Sequence, residues 1–262
     1  MTQSDKASGD FPEGAALVFG GSGGIGRSVA RGFAEAGTNV AIAYRSKQDV
    51  AEQVASEIRG LGVSVTTHQT DVTDAGKVAT TISEAAAQHG RIHSIVFGAG
   101  PLVEQVFISE TSDELWKRAV DTETHGFFNV VKAGIPELKK HGGGSFVHMG
   151  SAGHMYFPQR DGLSVIPKAA NEALVKGVAK EEGVNNIRAN SVLIGVINAG
   201  MFHTLMEQGA FDEAWVKETQ KMLALKRWGE PEEVGNAVVW LTSNKAAYVT
   251  GQQINVSGGF GV

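Results

Sequence analysis

The sequence predicts an α/β protein: a single doubly wound Rossmann domain with a mostly seven-stranded parallel sheet and helices on both faces. Short β-branched runs alternate with stretches of helical periodicity along the 262 residues. A glycine-rich loop joins the first of those runs to the first helix, and no repeat or Pro/Ser-rich linker divides the chain. Strands that alternate with helices form parallel sheets, and right-handed crossovers cover both faces.

Seven runs have the composition of buried strands. They are 15–19, 39–44, 63–68, 94–97, 145–149, 187–193 and 253–256. In sheets of this kind the ligand lies beyond the carboxyl ends of the strands. The loops that follow the strands are therefore the places where we expect a site.

Helical stretches fill the intervals between the strands. Ile25, Val29 and Phe33 recur at four-residue spacing, which places them on one face of the first helix. A long helix is predicted over 112–141. Pro231 opens the last helix, because proline is favoured in the first helical turn.

Charge and composition exclude several classes of function. The net charge of −5 gives no general attraction for polyanions, so nucleic acid is not an expected partner. The chain has no cysteine, which excludes disulfides and thiolate catalysis, and no spacing of metal ligands is seen. Residues 1–13 are polar and are expected to form a flexible tail before one domain, 14–262. With no signal peptide and no membrane-spanning segment, the expected location is cytoplasmic.

The glycine-rich loop directly follows the first strand and opens the first helix. Glycines let the backbone approach a pyrophosphate, and the helix N-terminus offers free N–H groups and a partial positive charge. A tight turn without a ligand is the alternative, but the strand–loop–helix context favours a dinucleotide site. The predicted contacts in this loop are Gly20, Ser22, Gly24, Ile25 and Gly26.

The end of the second strand indicates which dinucleotide is bound. NAD sites usually carry Asp or Glu there to hold the ribose hydroxyls, but this chain has Tyr44, Arg45 and Ser46. A guanidinium binds a 2′-phosphate through paired hydrogen bonds, and Arg27 could add a second positive charge. Either arginine could instead be an ordinary surface charge. The pattern favours NADP(H) over NAD(H).

These landmarks resemble the short-chain dehydrogenase/reductase family over about 15–259. The glycine loop matches the family's glycine motif, with Phe19 in place of the usual Thr. Asp71 and Val72 match the Asp-Val pair beside the adenine pocket, and 227–234 matches a late Arg-x-Gly-x-Pro-Glu-Glu-Val signature. The resemblance implies a nicotinamide cofactor with contacts at Asp71, Val72, Gly98, Ala99, Gly100, Lys168, Gly195 and Ile197.

The family's catalytic centre consists of Asn, Ser, Tyr and Lys, with Tyr four residues before Lys. Ser151 and Lys168 match the Ser and the Lys, whereas Ser164 stands at the Tyr position and Glu123 at the Asn position. The resemblance implies that Lys168 holds the nicotinamide ribose. An aliphatic hydroxyl is a far weaker acid than the phenol it replaces. The sequence therefore predicts an altered catalytic centre.

Three interpretations of that centre stay open. In the first, the enzyme acts on a carbonyl or hydroxyl group and another residue supplies the proton; Tyr156, Asp161 and Glu123 are candidates, although Tyr156 could equally be a packing residue. In the second, it reduces a conjugated C=C bond with NADPH, since the spacing of Ser164 and Lys168 resembles that of dienoyl-CoA reductases. In the third, it binds dinucleotide without catalysis.

Residues 195–225 fall where the family has its substrate lid, and they include Phe202, Phe211 and Trp215. Apolar lids close over apolar substrates and exclude water, although such side chains can also simply pack the lid. We therefore expect an apolar small-molecule substrate. The resemblance also implies a homo-oligomer, a tetramer or a dimer, formed through the helices near 112–141 and 164–183.

Overall fold

The computed structural model describes residues 9–262. Seven strands of this part of the chain form one parallel sheet. Its strands are β1 (Ala15–Phe19), β2 (Asn39–Tyr44), β3 (Val65–Gln69), β4 (Ile92–Phe97), β5 (Gly144–Ser151), β6 (Ile187–Ile194) and β7 (Gln253–Val256). They lie in the order β3-β2-β1-β4-β5-β6-β7. The strand order reverses beside β1, which opens a crevice at the carboxyl ends of β1 and β4. The predicted single-domain Rossmann fold is confirmed.

Helices cover both faces of the sheet. They are α1 (Gly24–Glu35), α2 (Gln48–Arg59), α3 (Ala75–His89), α4 (Asp113–Val120), α5 (Gly126–Lys140), α6 (Gly162–Glu182), α7 (Met201–Glu207), α8 (Glu213–Met222) and α9 (Pro231–Thr242). On one face α1 packs against α9, and on the other α3 packs against α5. The two helix layers follow from right-handed crossovers that lead away from β1 in both directions.

The hydrophobic core is divided by the sheet into two clusters. Successive residues of a strand point to opposite faces. Leu17 therefore packs with Phe97 and Phe127 under α3, α5 and α6, whereas its neighbour Val18 packs with Phe33 under α1 and α9. All five side chains are buried. Both faces of the sheet are thus sealed, and the carboxyl edge is left as the place for a site.

The helix predicted over 112–141 is interrupted. A π turn over Asp121–His125 separates α4 from α5. Such turns hold one more residue than an α-helical turn and leave a backbone group free for other partners. The periodicity of the sequence does not reveal the extra residue.

The chain joins the domain earlier than we predicted from the sequence. Residues 1–8 of the predicted tail lie outside the described part of the chain, but Asp10 and Phe11 are docked. The carbonyl oxygen of Asp10 accepts a hydrogen bond from the amide of Asn244 at 2.9 Å, and its carboxylate pairs with Lys245 at 2.6 Å. Phe11 is buried against Phe33, with ring centroids 5.6 Å apart. Both residues contact segments far along the chain, and the flexibility predicted for a tail over 1–13 stays a prediction.

The ends of the predicted strands differ from those of the observed strands by two residues at most, as at β3, β4 and β5. Differences of this size are usual for element boundaries. Within residues 9–262, no helix is both long and apolar enough to cross a lipid bilayer.

Replacing Phe11 by Ala is expected to lower the free energy of unfolding by about 2–3 kcal/mol, because a buried aromatic ring leaves a cavity at the edge of the core. Denaturant unfolding curves measure the change. Tyr248→Ala serves as the control, since Tyr248 is fully exposed and its loss is expected to change stability by less than about 0.5 kcal/mol. Equal effects of the two substitutions would show that the docking of Phe11 adds nothing.

Candidate functional site

The turn after β1 is packed so tightly that one of its positions has no room for a side chain. A methyl group at Gly26 would collide with the carbonyl oxygen of Gly20, whose φ is +81°. The next helix, α1, begins at Gly24 with no side-chain cap and no acidic residue in its first turn. Its first N–H groups are therefore available to an anion. The turn forms a cradle that a Cβ would fill, and this fits the diphosphate of a dinucleotide.

The other residues predicted to contact a cofactor follow the carboxyl ends of the strands. Tyr44 ends β2 and is buried, while the next two residues, Arg45 and Ser46, are exposed. Val72 is buried and its carbonyl oxygen accepts a hydrogen bond from Asn129 of α5 at 3.0 Å. The set that lies along this one edge comprises Gly20, Ser22, Gly24, Ile25, Gly26, Tyr44, Arg45, Ser46, Asp71, Val72, Gly98, Ala99, Gly100, Gly195 and Ile197.

Arg45 and Asp71 are neighbours at this edge. Hydrogen bonds from the backbone and hydroxyl of Thr73, at 3.0 and 2.7 Å, hold the pKa of Asp71 below its ordinary value, and the charge of Arg45 lowers it further. The backbone of Arg45 is fixed because its carbonyl oxygen accepts a hydrogen bond from Gln69 at 3.1 Å. An exposed guanidinium thus stands on a fixed backbone at the end of β2.

Arg27 is engaged elsewhere in the structure. Its guanidinium forms an ion pair with Glu57 of α2, and both side chains are about half exposed. A phosphate would have to compete with that carboxylate. The role of Arg27 as a second phosphate ligand stays a prediction.

Lys168 and Glu123 form an ion pair at the centre of the site. The ammonium of Lys168, on α6, contacts the carboxylate of Glu123, whose side chain is only 3% exposed, against 16% for the lysine. The backbone of Gly100, after β4, lies directly over the pair, because a methyl group there would collide with Glu123 Oε1. The π turn, α6 and the loop after β4 meet at this point.

Two hydrogen bonds fasten the π turn to α6. The side-chain amide of Asn171 donates to the carbonyl oxygen of Glu123 at 3.1 Å, and the hydroxyl of Thr124 donates to the carbonyl oxygen of Pro167, also at 3.1 Å. The family pattern does not point to Asn171, and the sequence gives no sign of its role. The carbonyl oxygen of Glu123 also accepts a hydrogen bond from the backbone N–H of Gly126, so Asn171 adds a second contact, from α6.

The two serines that we predicted as catalytic residues lie on β5 and on α6. Ser151 ends β5, and its half-buried hydroxyl accepts a hydrogen bond from the amide of Gly153 at 3.1 Å. Ser164 lies in the first turn of α6, four residues before Lys168, and is also half-buried. A serine side chain at this position leaves space that a longer side chain would fill.

Tyr156 has contacts of another kind. Its side chain is 55% exposed and packs edge-on against Phe260, with ring centroids 5.5 Å apart. Phe260 belongs to a small cluster with Ala152 and Leu223. Packing accounts for the position of Tyr156, and its role as a proton donor stays a prediction.

Asp161 immediately precedes α6 and has an altered acidity. Burial raises the pKa of its carboxyl to about 6, against the opposing effects of a hydrogen bond from Gln105 and the positive charge of Lys168. Gln105 Nε2 lies 3.3 Å from Asp161 Oδ1, and Val106 pairs with Asp161 as an isolated parallel bridge. The loop after β4 therefore covers both Asp161 and the ion pair.

A buried polar network lies behind the ion pair. His148 of β5 is fully buried, and its Nδ1 lies 2.9 Å from a carboxylate oxygen of Glu172, while its Nε2 lies 3.1 Å from the side-chain amide of Asn171. Gln253 donates to the other oxygen of Glu172 at 2.9 Å. Burial raises the pKa of Glu172, but the hydrogen bonds from His148 and Gln253 outweigh it and leave the pKa below its ordinary value. Nothing in the sequence predicts this network.

The chain resembles known reductases and dehydrogenases over nearly its whole length. A family model described as enoyl-(acyl carrier protein) reductase matches residues 20–261. The 3-oxoacyl-[acyl-carrier-protein] reductase FabG of Staphylococcus aureus (strain N315) is 32% identical over 245 residues, which cover 93% of this chain and 96% of that protein.

Solved structures of reductases and dehydrogenases also resemble this chain. A short-chain type dehydrogenase/reductase from Mycobacterium ulcerans matches with a TM-score of 0.89 at 32% identity, covering 95% of this chain and 90% of that one. Carveol dehydrogenase from Mycobacterium avium, in complex with NAD, matches with a TM-score of 0.89 at 25% identity, covering 96% of this chain and 98% of that one.

Glu123→Gln is expected to lower the free energy of unfolding by about 3 kcal/mol, because it leaves a buried ammonium without a charged partner. A double-mutant cycle with Lys168→Met, followed by denaturant unfolding, is expected to give a coupling of about 2 kcal/mol. Glu35→Gln is the control, since Glu35 and Arg31 form an exposed pair with a 2.7 Å separation, worth less than about 1 kcal/mol. A Glu123→Gln loss no larger than the control's would contradict the expectation.

Asp161→Asn is expected to stabilise the protein at neutral pH. Between its ordinary pKa of 3.8 and about 6, Asp161 holds a proton in the folded protein that the unfolded chain has released. The stability of the wild type therefore falls as the pH rises through that interval. At pH 8 the free energy of unfolding of the Asp161→Asn variant is expected to exceed that of the wild type by about 3 kcal/mol. This difference in stability is expected to narrow as the pH falls from about 6 to about 4. Urea unfolding at several pH values measures it, with the exposed Asp49→Asn as control; a pH-independent difference would contradict this.

Proposed function

The chain belongs to the short-chain dehydrogenase/reductase family, and we propose that within it the protein uses NADP(H) to reduce or form a carbonyl group on an apolar small molecule. The observation that carries the proposal is the meeting of Lys168 and Glu123 beneath Gly100, next to the glycine cradle. A dinucleotide on that cradle would have its nicotinamide end beside Lys168.

The glycine turn and Arg45 support NADP(H) as the cofactor. The free N–H groups at the start of α1 would hold the diphosphate, and the exposed guanidinium after β2 would bind a 2′-phosphate. The Mycobacterium avium relative is in complex with NAD, and Arg45 is the residue on which the choice of NADP(H) for this chain rests. When bound, NADPH supplies a hydride at nicotinamide C4.

Residues of this chain supply the rest of the chemistry. Lys168 would donate hydrogen bonds to the ribose, and Ser151 would place a hydroxyl beside the substrate oxygen. The α6 helix and the π turn hold these groups on rigid elements. The proton for the substrate oxygen must come from a side chain other than a tyrosine at position 164.

An aromatic cluster in the lid supports an apolar substrate. Phe211 and Trp215 stack with their ring centroids 3.7 Å apart, and Trp228 lies 5.4 Å from Phe202 and 6.1 Å from Trp215. The four rings join α7 and α8 to the segment that precedes α9. A lid fastened in this way would exclude water as it closes.

Two alternatives have their own support. The matching family model is described as an enoyl reductase, and Ser164 lacks the acidity of a phenol, which favours C=C reduction. The third interpretation, binding without catalysis, rests on the same replaced residues. The test is NADPH titration followed by turnover of a ketone panel and an enone panel. Turnover of ketones is expected; turnover of enones alone, or binding with no turnover, would overturn the proposal.

We also propose that the protein is a homo-oligomer. Trp116 of α4 and Phe128 of α5 are each nearly half exposed, and they lie on the helices that the resemblance assigns to subunit contacts. A second copy would cover them. A light-scattering mass equal to one chain would contradict this.

Arg45→Ala is expected to raise the Kd for NADPH about 20-fold and to leave the Kd for NADH within about twofold, because only NADPH carries the 2′-phosphate. Fluorescence titration with both cofactors measures the difference. Arg31→Ala is the matched control, since Arg31 is an exposed arginine of α1 that pairs with Glu35. Equal losses for NADPH and NADH would show that Arg45 does not read the phosphate.

A further inference from the structure

We propose that Asp161 is the proton donor to the substrate oxygen, in the place of the tyrosine that Ser164 replaces. The proposal rests on the proposed function, because it assigns one residue within that same site. The argument has three parts: the position of Asp161 on α6, the direction of its carboxyl, and the charges that surround it.

Position comes first. Ser164 and Lys168 follow Asp161 by three and seven residues, so the three lie along one side of the first turns of α6. Long helical side chains lean towards the N-terminus and cover the turn before their own Cα. A tyrosine at position 164 would therefore extend over the turn where Asp161 lies. Ser164 is too short to extend as far over that turn.

The direction of the carboxyl is unusual for its position. Asp161 is the N-cap of α6, where an aspartate normally accepts hydrogen bonds from the first free N–H groups. The N-cap residues Asp74 and Asp212 do so, at 2.9 and 2.8 Å, but the side chain of Asp161 makes no such bond. It accepts one from Gln105 instead, at 3.3 Å. The carboxyl is thus directed towards the loop that also covers the ion pair.

The surrounding charges favour the neutral acid. The positive charge of Lys168, on the same helix, acts on the carboxyl of Asp161, and that ammonium is paired with Glu123 of the π turn. On the covering loop, Glu104 is paired with Arg118 at 2.6 Å. The neighbouring guanidinium of Arg160 lies over the ring of Phe107, 4.5 Å from its centroid. Burial therefore prevails, and the pKa of Asp161 is raised to about 6.

In the proposed step the carbonyl carbon accepts the hydride that NADPH supplies, and the C=O π electrons move to oxygen. The oxygen takes the proton of the Asp161 carboxyl and forms an O–H bond, which leaves an alcohol, NADP⁺ and the Asp161 carboxylate. Solvent returns a proton to Asp161 before the next turnover. A donor with a pKa near working pH suits both halves of this cycle.

The test uses the whole protein with NADPH and a ketone that the wild type reduces. Asp161→Asn is expected to lower kcat by about 10²–10³-fold, with the Kd for NADPH unchanged. The wild-type kcat is expected to fall as the pH rises above about 6, because the acid is then ionised, and Asp161→Asn is expected to lose this dependence. Asp161→Glu is expected to recover part of the rate. Asp74→Asn is the matched control, an N-cap aspartate of α3, and is expected to keep the wild-type rate.

Several results would overturn the assignment. A kcat for Asp161→Asn within threefold of the wild type, or an unchanged pH profile, would overturn it and leave the proposed function intact. A loss above 100-fold in Tyr156→Phe with little effect in Asp161→Asn would transfer the role to Tyr156. An Asp161→Asn protein that fails to fold at pH 8 would contradict the burial argument. A wild type that binds NADPH but reduces no ketone would overturn the proposed function, and this assignment with it.

Discussion

The ion pair between Lys168 and Glu123 imposes the strictest constraint on the site. Moving a carboxylate and an ammonium out of water costs several kcal/mol for each ion, so a buried pair is tolerated only with good geometry and additional hydrogen bonds. Three segments meet to provide that geometry: α6 carries the lysine, the π turn carries the glutamate, and the loop after β4 lies over both at Gly100. A shift of any one of them would leave a buried charge without its partner.

The pair also changes the electrostatics for its neighbours. The family places a neutral Asn where this chain has Glu123, so a lysine there keeps its full positive charge. Here the ammonium of Lys168 is paired with Glu123, and its effect on the pKa of Asp161 is smaller than that of burial. Burial then decides the protonation of Asp161. In our proposal the glutamate at position 123 and the absence of a tyrosine at position 164 are connected, because the first creates an environment in which a carboxylic acid takes the place of the second.

Local patterns were enough to predict the parallel sheet and the order of strands and helices along the chain, whereas the cofactor contacts stay a prediction. The β-branched runs, the glycine loop and the absence of an acid beside Arg45 are all short-range signals. The docking of Phe11 and the network of His148 with Glu172 were not predictable, because they depend on residues far apart in the chain. The sequence named Asp161 as one candidate among three. Glu123 is paired with Lys168 and Tyr156 is exposed, whereas the carboxyl of Asp161 accepts a hydrogen bond from the neutral Gln105.

The π turn has a consequence for how this chain tolerates changes in length. A π turn absorbs one extra residue within the helical run that joins α4 to α5. Removing a single residue from Asp121–His125 would restore regular winding, but it would delete or displace one of the groups that the turn presents to α6. Asn171 and Thr124 would then lose their partners. The loops elsewhere can lengthen or shorten, whereas the register of this one turn is coupled to the chemistry it supports.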